Sequence, residues 1–188
     1  MIITEQKIKA VFEIQLQPTI DSRGYFMRTY DEKVFKEFGI NKNWVQESHS
    51  FSKKKGTVRG FHFQYPPYAE TKLIRVLQGE ILFTVLDLRY KSKTFGKWVQ
   101  IVLSAKNNNL LYVPKGFGSC MCTLTNNCQV LYKMDEFFTP NYYDNIRWDD
   151  PDLNIDWPVK VPSEISERDV NAQSFQQFVD KRGGLKIK

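Results

Sequence analysis

The sequence predicts one all-β domain, an antiparallel sandwich or barrel with short peripheral helices. The chain has 188 residues, a size that fits a single domain (residues 1–188) with a buried core. Short runs of β-branched and aromatic residues recur along most of it, and turn-forming Gly and Asn residues separate them. Strands at such close spacing are typical of antiparallel sandwiches and barrels.

The helices are predicted at the two ends of the domain. Between Asp31 and Phe38, the apolar residues Val34, Phe35 and Phe38 form one helical face, and Asp31 suits the N-cap. After Pro158 the sequence turns polar, and residues 166–179 predict one or two short helices packed on the outside.

Five strands are predicted from their apolar runs. They cover residues 74–77, 81–88, 98–103, 110–113 and 130–132. Gly79, Gly96, the asparagines at 107–109 and Gly116 mark the turns between them.

A further strand is predicted over residues 59–64, and it carries one of only two histidines in the chain, His49 and His62. With a period of two, His62 shares a face with Gly60 and Gln64, while the two phenylalanines between them face the core. His62 would then point toward the lumen or mouth of the barrel. Arg59 has the opposite parity, so it reaches the same pocket only through a bulge or at the strand end.

The charge of the chain is compatible with a small anionic substrate. The net charge is +6, but the basic residues are scattered and the only tight run is Lys53-Lys54-Lys55, which is typical of a solvated loop. We therefore expect no nucleic-acid partner. No apolar run approaches the roughly 20 residues of a membrane span. The first residues lack a signal-peptide pattern, so we expect a cytoplasmic protein without a membrane partner.

The three cysteines, Cys120, Cys122 and Cys128, are predicted to be small buried residues. An odd number in a chain without a secretion signal argues against a disulfide framework. Cys120 and Cys122 share a strand face, as two zinc ligands would, but no second pair and no nearby histidine completes a set of four.

Ten motifs, in order along the chain, carry a resemblance to a known family. They are residues 21–24 (DSRG), 59–64 (RGFHFQ), 72–76 (KLIRV), 87–89 (DLR), 92–96 (SKTFG), 114–117 (PKGF), 131–133 (LYK), 148–151 (WDDP), 155–158 (IDWP) and 166–169 (SERD). In order and spacing they resemble the dTDP-4-dehydrorhamnose 3,5-epimerases, which are RmlC-like cupins. The resemblance implies a double-stranded β-helix (a cupin jelly roll) and a homodimer that shares an N-terminal strand between subunits.

The resemblance also implies a set of catalytic residues acting on a nucleotide-diphospho-4-keto sugar. His62 matches the base, Asp169 its partner, Tyr132 the general acid, and Lys72 the group near the ketone.

These residue types suit the reaction. A 4-keto group acidifies the protons on C3 and C5 because the carbanion delocalises into an enolate, and a histidine is a base near neutral pH. Asp169 would orient the imidazole, and Lys72 would donate to the developing oxyanion. Inversion needs a proton from the opposite ring face, which Tyr132 would supply.

A second set of residues is assigned to substrate binding. Arg23 and Arg59 match phosphate-binding residues of the family, and a guanidinium fork suits phosphate oxygens. Gln46 is expected to join them, Arg168 stands where the family commonly has Lys, and Ser119 occupies a pocket position that is an imidazole in the family.

No metal and no other cofactor is expected. Metal-binding cupins carry histidines where this chain has Gln64 and Ser119, so two of three imidazoles are missing. The substrate ketone itself is the electron sink.

Four departures from the family pattern bear on specificity. Ser119 replaces an imidazole, which leaves open whether C3, C5 or both are inverted. Phe137-Phe138 replaces a pair of tyrosines, and Ser48 stands where Asn is frequent. Arg28 stands where dTDP-specific members often carry Glu. An arginine donates to guanine O6/N7 or cytosine O2/N3 but cannot accept from thymine N3–H, so we hypothesise a GDP- or CDP-linked substrate.

Three alternatives to the epimerase remain open at this stage. A 3,4-ketoisomerase on the same fold would move the carbonyl, and a non-catalytic sugar-nucleotide-binding cupin would need neither His62 nor Tyr132. A nucleic-acid-binding barrel would require Lys and Arg clustered with exposed aromatic residues.

Overall fold

The computed structural model describes residues 1–187 and consists of two antiparallel sheets that face each other. The strands are β1 (Ile2–Glu5), β2 (Phe12–Gln15), β3 (Thr19–Asp21), β4 (Gly24–Phe26), β5 (Gln46–Ser52), β6 (Val58–Gln64), β7 (Lys72–Gln78), β8 (Glu80–Asp87), β9 (Trp98–Ser104), β10 (Asn109–Val113), β11 (Phe117–Thr123), β12 (Cys128–Met134) and β13 (Tyr143–Asn145). The helices are α1 (Glu32–Glu37), α2 (Glu167–Val170) and α3 (Phe175–Arg182), with a 3-10 turn at Pro140–Tyr142.

The strand order confirms the all-β jelly roll with peripheral helices. One sheet has six strands in the order β1-β2-β10-β7-β12-β5, and the other has five in the order β13-β6-β11-β8-β9. Neighbouring strands such as β10 and β2 are far apart in sequence, so the chain crosses repeatedly between the two sheets. Strands β3 and β4 form a separate two-stranded hairpin.

The space between the sheets holds the main core. Side chains from both inner faces fill it, among them Ile74, Val76, Phe83, Val85, Val113 and Val130. Burial of this much apolar surface is the principal stabilising contribution in such a sandwich.

The outer face of the five-stranded sheet is also buried, under the C-terminal part of the chain. Phe61 and Phe63 of β6 pack there against Trp148, Trp157 and Phe178, the last of which lies on α3. Both faces of β6 are therefore covered, which fixes the orientation of the residues it carries.

The predicted helices are present, with caps that explain where they begin. The Asp31 carboxylate accepts from the backbone N–H groups of Lys33 and Val34 at the start of α1. Ser174 and Gln177 form a capping box at the start of α3, which ends at Gly183 with a φ of 65°. The five predicted strands correspond to β7, β8, β9, β10 and β12.

The cysteines lie where the sequence predicted. Cys120, Cys122 and Cys128 are buried and free. Among the helices of residues 1–187, none combines the length and the apolar character that a membrane span requires.

The β3–β4 hairpin exposes apolar side chains to solvent. Ile20 is 76% exposed, Tyr25 64% and Phe26 73%. Among residues 1–187, β3 and β4 pair with each other and with no other strand.

Candidate active site

A cavity of about 200 Å³ opens between the two sheets around His62. It is lined by Ser50, Arg59, His62, Lys72, Phe83, Ser119, Cys120, Met121 and Tyr132. Five of the residues that the sequence singled out therefore share one pocket, namely Arg59, His62, Lys72, Ser119 and Tyr132.

A bulge in β6 brings Arg59 into the pocket with His62. On the neighbouring strand β11, Ser119 lies opposite His62 and Met121 lies opposite Arg59. Between these two pairs β6 advances by three residues and β11 by two, so β6 carries one extra residue, which is a bulge. Gly60 stands inside the bulge with a φ of +122°. A Cβ there would collide with the backbone of β11, so only glycine fits. The sequence predicted that Arg59 would reach the pocket through a bulge or at the strand end, and the structure has the bulge.

The imidazole of His62 is paired with the buried carboxylate of Asp169. His62 Nε2 lies 2.7 Å from Asp169 Oδ1, and because a carboxylate only accepts, Nε2 carries the proton and Nδ1 is left to act as a base. Asp169 lies on α2, whose N-cap Ser166 accepts from the Asp169 backbone N–H. Burial opposes ionisation, yet hydrogen bonds from His62 and Asn145 hold the pKa of Asp169 below its usual value.

Asn145 is a member of this arrangement that the sequence reasoning missed. It lies on β13 directly opposite His62, and its Nδ2 donates to Asp169 Oδ1 at 3.2 Å and to the Arg168 carbonyl at 3.0 Å. Asp169 Oδ1 thus accepts hydrogen bonds from both His62 Nε2 and Asn145 Nδ2. No motif in the sequence signalled this contact, because β13 has only three residues and pairs with a strand about 80 positions earlier in the chain.

Tyr143, also on β13, was missed as well and flanks the imidazole. Its ring centroid is 5.4 Å from that of His62 and 5.2 Å from that of Phe138. The Arg168 guanidinium lies 3.9 Å from the Tyr143 ring centroid, a cation–π distance. Burial raises the pKa of Tyr143 far above its usual value, so its hydroxyl stays protonated.

Tyr132 approaches the pocket from the opposite wall. It belongs to β12 of the six-stranded sheet, whereas His62 belongs to β6 of the five-stranded sheet. Its hydroxyl donates to Met121 Sδ at 3.3 Å and accepts from Ser50 Oγ at 3.5 Å. Burial raises the pKa of Tyr132, so the phenol remains protonated and can donate at neutral pH.

Lys72 enters the pocket from the first residue of β7 with a carboxylate partner. Its Nζ lies 3.0 Å from Glu70 Oε1, and both side chains are largely buried.

Gln64 does not face open space. It is buried and its amide is fully used by backbone groups, accepting from Thr139 N and donating to the Tyr68 and Phe137 carbonyls.

The pocket walls supply one further cation and an inert thiol. Arg59 is anchored by hydrogen bonds from its guanidinium to Ser52 Oγ and the Phe51 carbonyl. Burial raises the pKa of the Cys120 thiol well above its usual value, so Cys120 is a neutral wall residue.

Four expected binding residues do not line the pocket within this chain. Arg23 extends into solvent from the β3–β4 hairpin, paired with Asp21, and Arg28 is paired with Asp31. Gln46 accepts from the Phe138 backbone N–H. Arg168 stacks on Tyr143 and donates to its carbonyl.

The described residues, 1–187, contain no cluster of three or more His, Cys, Asp or Glu side chains arranged to hold a metal ion. The imidazole pairs with the Asp169 carboxylate, and Ser119 lies opposite His62 on β11.

Comparison with known proteins gives a consistent answer. The family model described as dTDP-4-dehydrorhamnose 3,5-epimerase matches residues 5–177. Enzymes of that name from Shigella flexneri and Methanothermobacter thermautotrophicus are 42% and 41% identical, over 82% and 87% of this chain and 85% and 90% of theirs. A Legionella pneumophila epimerase solved in complex with dTDP-4-keto-L-rhamnose superposes with a TM-score of 0.91 at 31% identity, covering 99% of this chain and 98% of that one.

Proposed function

Since the chain belongs to the dTDP-4-dehydrorhamnose 3,5-epimerase family and is an isomerase, we propose that it inverts carbons beside the C4 ketone of a nucleotide-diphospho-4-keto-6-deoxy sugar. The observation that carries the proposal is the pairing of His62 and Tyr132 across one pocket, each from a different sheet. An acid and a base on opposite sides of a sugar ring are what inversion at carbon requires.

His62 is the base in this proposal. Its Nε2 proton is held by Asp169, so Nδ1 accepts the proton from C3 or C5 and the imidazolium is stabilised by the carboxylate. Asp169 acts through His62 and is a positioning residue. The same relationship in serine proteases is worth on the order of 10⁴ in rate.

Tyr132 is the acid that returns a proton to the other face. Its raised pKa keeps the phenol protonated at neutral pH, and Ser50 and Met121 fix the hydroxyl beside the cavity. General acid catalysis of this kind contributes roughly 10²–10⁴ in rate.

Lys72 stabilises the enolate formed between the two transfers. Its ammonium group is largely removed from solvent and held by Glu70, so a developing oxyanion meets a fixed positive charge. Loss of one such donor costs on the order of 10²–10³ in kcat.

Arg59 is the phosphate-binding residue that this chain contributes to its own pocket. Its hydrogen bonds to Ser52 and Phe51 use part of the guanidinium and leave other N–H donors for phosphate oxygens.

The functional unit proposed here is a homodimer. Ile20, Tyr25 and Phe26 form an exposed apolar surface on the β3–β4 hairpin, and a second copy of the chain would bury it. Arg23 and Arg28 lie on or beside this hairpin, away from the pocket of their own chain, and would act on the substrate of the partner. Light scattering should give the mass of a dimer, and Ile20→Ser with Phe26→Ser should give a monomer with reduced kcat/KM.

The decisive experiment is incubation with nucleotide 4-keto sugars in D₂O, followed by NMR of the product. We expect deuterium at C3, at C5 or at both, with inverted configuration, and none with His62→Ala. A displaced carbonyl would identify a 3,4-ketoisomerase instead, and binding without any deuterium incorporation would identify a non-catalytic cupin. A Ser119→His variant, compared at C3 and C5, tests whether the missing imidazole limits the reaction to one carbon.

A further inference from the structure

A second concave surface lies at the end of the barrel near the C-terminus, and it shares no lining residue with the pocket around His62. This basic groove has a volume of about 670 Å³, which lies within the range of small-molecule sites. Its walls are the β1–β2 turn, the loop that follows β8, and the C-terminal segment. The lining residues are Lys7, Lys9, Arg89, Tyr90, Lys91, Ser92, Lys93, Thr94, Leu185 and Ile187.

The basic groove concentrates unpaired positive charge. Lys7, Lys9, Lys91 and Lys93 line it, and no Asp or Glu is among its lining residues. Within residues 1–187, none of these four ammonium groups has a carboxylate at ion-pair distance. Like charges gathered in a concave surface focus a positive potential there, which attracts anions.

The loop that carries two of these lysines is held rigidly. The fully buried Asp87 accepts from the Arg89 guanidinium at 2.8 and 2.9 Å, and from the Ser92 and Thr94 hydroxyls at 2.6 Å each. Arg89 is thereby neutralised, while Lys91 and Lys93, between these anchor points, remain exposed. A loop backbone held in this way loses little freedom on binding, so the ordering cost is confined to the lysine side chains.

The C-terminal wall is fastened to the same loop. Tyr90 N donates to the Leu185 carbonyl at 2.9 Å, and Leu185 N donates to the Leu88 carbonyl at 2.6 Å. The Tyr90 ring is 43% exposed, and the ammonium groups of Lys91 and Lys186 each lie 5.3 Å from its centroid. A partly exposed aromatic ring with two ammonium groups over it therefore stands at the edge of the lysine cluster, a combination that the sequence did not indicate.

We propose that the basic groove is a second ligand site, which binds a small polyphosphate anion with two or more linked phosphate groups. Several ammonium groups gathered on one concave surface suit a chain of phosphate oxygens. Tyr90, 43% exposed beside the ammonium groups of Lys91 and Lys186, offers a surface on which a nucleobase can stack. The two sources of this chemistry are an inorganic polyphosphate and a nucleoside polyphosphate.

The test is isothermal titration with tripolyphosphate and, separately, with ATP. All proteins carry Arg59→Ala, so that the pocket around His62 contributes little phosphate binding. We expect the double variant Lys91→Glu with Lys93→Glu to lower the affinity for tripolyphosphate at least about tenfold, because each substitution removes a charge-assisted contact. The matched control is Lys53→Glu with Lys55→Glu, the same charge change on an exposed loop outside the groove, and it should change the affinity less than about twofold after salt screening.

Tyr90→Ala separates the two sources. If Tyr90→Ala lowers the affinity for ATP alone, the ligand of the basic groove is a nucleoside polyphosphate. If the affinities for ATP and tripolyphosphate are both unchanged, the ligand is an inorganic polyphosphate. Equal weakening by the two lysine pairs, no binding once Arg59 is replaced, or tighter binding of duplex DNA than of ATP would each overturn the proposal. In the otherwise native chain, Lys91→Glu with Lys93→Glu should retain full epimerase activity, so failure here is distinct from failure of the proposed function.

Discussion

Asn145 Nδ2 donates to the same carboxylate oxygen of Asp169 that faces the imidazole of His62, at 3.2 Å against 2.7 Å. The imidazole is therefore held by a carboxylate that is itself held by an amide on the neighbouring strand. Because Asn145 is not among the residues that line the pocket, we infer that it is a positioning residue.

For Asn145→Ala we expect kcat to fall about tenfold with little change in KM, since one hydrogen bond to a charged group is lost. Asn145→Asp should lower kcat further at neutral pH, because a second carboxylate beside Asp169 raises the pKa of Asp169. The pH profile of kcat distinguishes the roles: identical profiles for wild type and both variants would contradict a positioning role.

Asp169→Asn should lower kcat by on the order of 10⁴, because the imidazolium loses its counter-charge and the amide can turn a donor toward Nε2, which favours the wrong imidazole tautomer. The lowered pKa of Asp169 also has a consequence for stability. A carboxyl whose pKa is lower when folded stabilises the protein above its unfolded pKa, and that contribution is lost as the pH falls through the folded value.

Urea unfolding between pH 7 and pH 2 measures this effect of Asp169. The free energy of unfolding should fall more steeply with acidification in wild type than in Asp169→Asn. Parallel curves would show that the carboxylate is not stabilised by its partners.

Tyr132→Phe should separate proton removal from inversion. His62 remains intact, so exchange of the C3 or C5 proton with D₂O continues, while delivery to the opposite face slows by roughly 10²–10⁴. The product would carry deuterium with retained configuration. Tyr112→Phe, which removes a buried phenol outside the pocket, serves as the control and should leave both rates unchanged.

Gly60→Ala should destabilise the fold by about 2 kcal/mol or more, because the backbone has a positive φ and a Cβ would strike Ser119 and Cys120. Gly39→Ala is the matched control, with a φ of +74° and nothing within 4 Å of the added atom. It should cost about 1 kcal/mol from the backbone alone. If urea unfolding shows that Gly60→Ala and Gly39→Ala lower the free energy of unfolding equally, the bulge relaxes enough to accommodate the added Cβ.

Arg28 gives a prediction for the nucleotide. If it reads the base, turnover should favour GDP- or CDP-linked 4-keto sugars over the dTDP-linked form, and Arg28→Glu should shift the kcat/KM ratio toward dTDP. A preference for dTDP that survives Arg28→Glu would show that the Asp31 ion pair is its only role.

Apolar strands were readily predicted from sequence, whereas strands defined by their neighbours were not. The run 81–88 is strongly β-branched and aromatic and became β8. Strand β11 (Phe117–Thr123) contains Gly, Ser and two Cys, and it is a strand because β6 and β8 pair with it on both sides. Strand β5 (Gln46–Ser52) is mostly polar and is set by its pairing with β12.

The same distinction applies to the site. His62, Tyr132, Lys72 and Asp169 belong to local motifs, so the resemblance could point to them. The structure brings the first three to one pocket and places Asp169 against the imidazole. Asn145 and Tyr143 act through contacts made by a three-residue edge strand, and no local pattern encodes such a contact. Arg23 and Arg28 lie away from the pocket of their own chain, each paired with a nearby aspartate, and the role proposed for them requires a second copy of the chain.

The burial of β6 on its outer face has a consequence for shortened forms of this protein. The segment that follows Ser166 covers Phe63 through Phe178 of α3 and also carries the Asp169 carboxylate that pairs with the imidazole. A chain truncated before Ser166 would expose apolar surface of the five-stranded sheet and would also lack the Asp169 carboxylate. Insolubility and inactivity should therefore arise together rather than as separable defects.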